Sequence, residues 1–164
     1  MSTPNEAESN TSELITSEIM VDDIIEKQKL SLLQSEKKML NCFLAYTKIT
    51  MEPYATSDEL KKLEDYIEIY SSKKSITSFE ALIKTRELSS DDLINFGYNM
   101  VNHFGFTNLN EFAPNLQNMF KALEKPTVSQ NTIQTRLYFR KPSKKFKIKC
   151  IRNIEEYLEN FKID

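Results

Sequence analysis

The chain has 164 residues, one domain's worth, with 22 basic and 24 acidic side chains and a formal net charge of −2. It holds two glycines, Gly97 and Gly105, one histidine, His103, and no tryptophan, which excludes glycine-rich phosphate loops and dinucleotide fingerprints. Cys42 and Cys150 lie far apart and make neither a CxxC pair nor a zinc-type spacing, so the expectation is thiols in a reducing compartment, no metal and no cofactor.

Residues 1–19 are rich in Ser, Thr, Asn and Glu and read as a flexible acidic tail. They lack the basic start and apolar run of a secretory signal, and no apolar stretch approaches the roughly 20 residues that span a bilayer. A cytosolic or nuclear location is expected.

From Val21 to Met51 there is no proline or glycine, and Ile25, Leu32, Met39, Phe43 and Tyr46 recur at steps of seven, seven, four and three. Leu33, Leu40 and Leu44 broaden that stripe. The spacing predicts an amphipathic helix of about 30 residues, about 45 Å long. Its seam, Ile25, Leu32, Leu33, Met39, Leu40 and Phe43, would meet another helix, in this chain or in a partner subunit.

Pro53 ends that helix. Thr56 and Glu59 form a capping box ahead of Leu60, Leu63, Ile67 and Tyr70, and Thr77 with Glu80 opens a third helix ending near Arg86. Ser89 with Asp92 signals the next start. Leu93, Ile94, Met100, Val101 and Phe104 form the buried face there, and Gly105 is placed for a left-handed cap. Asn108 and Glu111 open a helix carrying Leu109, Phe112, Leu116, Met119, Phe120 and Leu123, where Pro114 is tolerable only in the first turn.

After Pro126 the pattern changes. Thr132–Phe139 is β-rich, Lys141–Lys144 reads as a turn, and Lys145–Cys150 alternates, with Phe146, Ile148 and Cys150 on one face. A hairpin followed by a helix over Asn153–Phe161 is predicted. The expected fold is mainly α: a tail (1–19), a helical assembly domain (20–125) and a basic hairpin or arm with a terminal helix (126–164).

Little here points to catalysis. Asp22-Asp23 and Asp91-Asp92 sit at expected helix N-termini, where the dipole favours negative charge. His103 lies near a helix end with no nucleophile motif in the chain to serve. The charge of −2 conceals polarity: Arg136, Arg140, Lys141, Lys144, Lys145, Lys147, Lys149 and Arg152 place eight positive charges within 17 residues. With Tyr138 and Phe139 among them, this patch suits nucleic acid, docking onto an acidic protein, or simple solvation. No membrane partner is expected.

Ser89, Ser90, Asp91, Asp92, Leu93, Ile94 and Phe96, preceded by a long amphipathic helix and shorter ones, resemble the Ser/Pro-Ser-Glu-Glu-Leu/Ile-Ile-x-Tyr-Ala motif of Mediator subunit four. Gly97 stands where that family has alanine, and Tyr98–Val101 replaces its His/Arg-Ile-Ser. Pro126-Thr127, Ile133 and Leu137 follow in comparable order, so the resemblance spans about Leu63 to Leu137. It implies a nuclear coactivator subunit that relays regulator signals to RNA polymerase II. More locally, Leu137–Phe146 with Ile154–Leu158 is similar to the strand, turn and helix half of methyl-CpG-binding-type domains, without their glycine after the serine or their Gly-Trp start.

Overall fold

The computed structural model describes residues 5–74, 76, 83–124, 128–138 and 145–162. Six α-helices follow in order: α1 (Asn5–Met51), α2 (Ser57–Ser71), α3 (Ser90–Phe104), α4 (Leu109–Met119), α5 (Gln130–Tyr138) and α6 (Ile154–Lys162). The chain divides into two compact units, Met1–Lys38 and Met39–Asp164.

The first unit contains the upstream part of α1. This helix starts at Asn5, within the stretch expected to be a tail. Nothing from Asn5 to Met51 breaks it, for proline occurs only at Pro4 just before its start and glycine not at all. Residues 1–4 lie outside the described residues.

The second unit is packed around aromatic side chains. Phe43, Tyr46, Phe96, Phe112 and Phe120 are fully buried, and Tyr70 is nearly so. Phe43 and Tyr46 on the last turns of α1 lie 5.6 and 6.1 Å, centroid to centroid, from Phe96 on α3. Phe96 meets Phe120 edge-on at 6.0 Å, and Tyr70 on α2 meets Phe112 on α4 at 4.9 Å. Large rings with offset or edge contacts let short helices bury substantial area without long interfaces.

The helix starts follow the capping chemistry expected of them. At α2 the Glu59 N–H donates to Thr56 Oγ1 at 3.2 Å, and the Thr56 N–H donates to Glu59 Oε1 at 3.3 Å. Ser89 and Asp92 reproduce that box at α3. Gly105 ends α3 in the left-handed region, φ +73°, where a side chain would be strained.

Pro114 departs from expectation, for it is the sixth residue of α4 and lies beyond the first turn. Its missing N–H leaves the carbonyl of Asn110, four residues back, without its helical donor. Gln134 on α5 fills that role, its Nε2 donating to Asn110 O at 3.0 Å.

The expected third helix does not cover 83–86, and its start at 77–82 lies outside the described residues. Ile83 instead makes a parallel bridge with Phe120, receiving from the Lys121 N–H and donating to Met119 O, both at 3.0 Å. The expected C-terminal hairpin is not formed among the described residues either. Thr132–Tyr138 belongs to α5, capped by Ser129 Oγ, which accepts from the Thr132 N–H at 3.1 Å. Ile133 and Leu137, four residues apart, are its buried side chains, so helical spacing outweighs β propensity here. The expected turn, 141–144, lies outside the described residues. Residues 145–153 form no strand, and α6 follows close to where a terminal helix was expected.

Candidate functional site

α3 organises the second unit because both of its faces are occupied. Leu93, Ile94, Phe96, Met100, Val101 and Phe104 enter the core. Asp92, Asn95, Asn99 and Asn102 recur at steps of three, four and three, which aligns them along one face of a helix. That polar row holds the backbone of the irregular segment 147–152. Asp92 Oδ1 accepts from the N–H groups of Lys147 and Ile148, at 2.8 and 3.1 Å. Asn95 Nδ2 donates to Ile148 O at 2.9 Å. Asn99 donates to Lys149 O at 2.8 Å and accepts from the Ile151 N–H at 2.7 Å, and Asn102 donates to Arg152 O at 3.0 Å.

These side chains supply the partners that a neighbouring strand would have given. A segment packed against a core must satisfy its peptide groups somewhere, and amide side chains carry both a donor and an acceptor. Asn99 serves twice, since Nδ2 also donates to the Tyr46 hydroxyl at 2.8 Å. Burial raises the Tyr46 phenol well above its ordinary value, with Asn99 opposing that shift. Asp92 is only 3% exposed, and its other oxygen closes the cap on Ser89 at 3.0 Å. Sequence reasoning missed Asn95, Asn99 and Asn102. The available signal was their spacing with Asp92, an unusual cost in a helix interior where Asn and Asp are poor formers.

Every residue of the family-like motif has structural work. Ser89 and Asp92 cap α3, and Leu93, Ile94 and Phe96 are buried. Ser90 and Asp91 engage α5: Arg136 donates to Ser90 Oγ at 3.0 Å and to the Asp91 carboxylate at 3.3 Å. Gly97, the departure from the motif, lies where α3 crosses α4. A Cβ built there would stand 2.5 Å from Leu116 Cδ1 and 2.9 Å from its Cγ.

The expected basic patch is partly committed within the chain. Besides Arg136, Lys147 Nζ donates to Glu87 O at 2.6 Å and lies 5.6 Å from the Tyr54 ring centroid. Lys145, Lys149 and Arg152 are exposed, and Arg140, Lys141 and Lys144 lie outside the described residues. Of the expected alternating face, Ile148 is buried and Phe146 half-buried, but Cys150 is exposed.

The expected seam separates into two groups. Phe43 is fully buried, with Met39 and Leu40 packed around the same core. Ile25, Leu32 and Leu33 are 41%, 60% and 61% exposed. Ile19, Val21 and Leu30 are exposed as well. In fact every residue from Thr16 to Lys38 is exposed.

His103 is bound to its own fold. Its Nε2 lies 2.8 Å from Met39 O and its ring 5.4 Å from that of Phe43. Burial lowers its pKa from the ordinary value of 6.5, against the Met39 carbonyl and the Glu155 charge, which raise it. Both cysteines are thiols. Among the described residues no three His, Cys, Asp or Glu side chains are grouped to hold a metal ion, and no helix is long and apolar enough to cross a membrane. No family model, curated protein or solved structure matches the chain.

Proposed function

We propose that this chain is a non-enzymatic assembly subunit of a multiprotein complex and that residues 16–38 of α1 pair with a helix of a partner. The supporting observation is the run of exposed Ile, Val and Leu side chains on this part of the helix. Apolar side chains clustered along one exposed element mark an interaction surface more than an ordinary solvated face. The resemblance of residues 89–97 to Mediator subunit four suggests the setting, a nuclear coactivator assembly acting on RNA polymerase II.

Affinity purification of the native protein, with identification of the co-purifying subunits, tests this directly. The wild-type chain should bring down transcription-complex subunits, and a Leu32→Asp, Leu33→Asp variant should lose them. Recovery of a lone monomer would contradict the reading. A nucleic-acid role for the basic residues is the alternative, and a salt titration with duplex DNA separates the two. Phosphate binding weakens steeply with the logarithm of salt concentration, whereas an apolar helix seam holds.

A further inference from the structure

Charge is sorted along the exposed part of α1. From Thr16 to Glu26 the ionisable side chains are Glu18, Asp22, Asp23 and Glu26, four acids with no base. From Lys27 to Lys38 they are Lys27, Lys29, Lys37 and Lys38, with Glu36 the one acid. An ion pair within the helix, Lys27 Nζ to Asp23 at 3.2 Å, joins the two halves where they meet, and both side chains remain largely exposed.

This gradient selects an orientation. A like helix laid parallel would set acid beside acid and lysine beside lysine, while an antiparallel one sets each half against its opposite. A two-fold axis across the helix produces the second arrangement from a single sequence, because each copy presents the inverse of the other's gradient. Apolar side chains lie along the same stretch, with Val21, Ile25 and Leu32 separated by four and seven residues, the spacing of a helix seam.

We propose that residues 16–38 form an antiparallel helix pair with a second copy of this chain. The proposal rests on the reading of this segment as a partner-binding helix and names the partner. Apolar contact along the seam supplies the attraction, and opposed charges at both ends fix the direction. Asp22 and Asp23 of one copy lie toward Lys37 and Lys38 of the other.

Sedimentation equilibrium of the full chain tests it, using Asp22→Lys, Asp23→Lys as one variant and Lys37→Glu, Lys38→Glu as another. Wild type should be dimeric at about 50 µM, and each variant should self-associate about tenfold more weakly. An equimolar mixture of the two variants should restore the dimer, which two misfolded chains could not do. A wild-type monomer at that concentration overturns the proposal, as does a dimer that neither variant weakens. If the monomer still loses co-purifying subunits through Leu32→Asp, Leu33→Asp, the second copy is overturned while the partner-helix reading stands.

Discussion

Asn99 shows how much one side chain carries. It joins the Tyr46 hydroxyl, the Lys149 carbonyl and the Ile151 N–H, and it is fully buried. Asn99→Leu removes the partners of three polar groups at once, and leaving even part of that set unsatisfied should cost about 2–4 kcal/mol in chemical denaturation. A loss below about 0.5 kcal/mol would mean that the row does not hold the segment. Gly97→Ala is a second probe, for its added methyl must displace the fully buried Leu116. A destabilisation of about 1–3 kcal/mol is expected, and an unchanged midpoint would show that α3 and α4 pack less closely. His103 gives a pH signature. Its folded pKa lies below the unfolded value of 6.5, so the unfolded chain takes up the proton first as pH falls. Stability from the neutral imidazole is present above the unfolded value and is lost as pH drops toward the folded one. Wild type should therefore lose more stability than His103→Gln between about pH 7.5 and about pH 5, and parallel curves would refute this.

At the scale of elements, legibility followed locality. Capping at Thr56 and Ser89 and the left-handed Gly105 depend on residues within a few positions, and these features are readable from spacing alone. Pro114 in α4 was not, because its tolerance comes from Gln134, which is distant in sequence. Gln134→Ala should lower stability by about 1 kcal/mol, and the loss should shrink in a Pro114→Ala background where the helical donor returns. Equal losses in both backgrounds would deny the link. The hairpin failed for a similar reason. Alternation at 145–150 signalled peptide groups in need of partners, but side chains of α3 provide them, and no local pattern announces that substitution. The long seam was legible as a stripe. Which part of it would be covered was not, since burial of Phe43 depends on α3 while Ile25 and Leu32 depend on what the chain meets.

At the scale of the whole molecule, the described structure assigns the two most conspicuous sequence features different weights. Residues 147–152 of the basic segment have their backbone turned into α3, and Arg136 and Lys147 are engaged by Asp91 and Glu87, whereas the apolar side chains of residues 16–38 are uncovered. The chain is accordingly expected to bind duplex DNA weakly at low salt, and tight salt-sensitive binding would favour the basic segment as the working surface. Amide hydrogen exchange of the chain alone and in its native assembly tests the central claim most directly. Residues 16–38 should exchange rapidly in the chain diluted until it is monomeric and become protected on self-association and in the assembly, with 147–152 unchanged. Protection appearing elsewhere while 16–38 stays rapid would contradict the account.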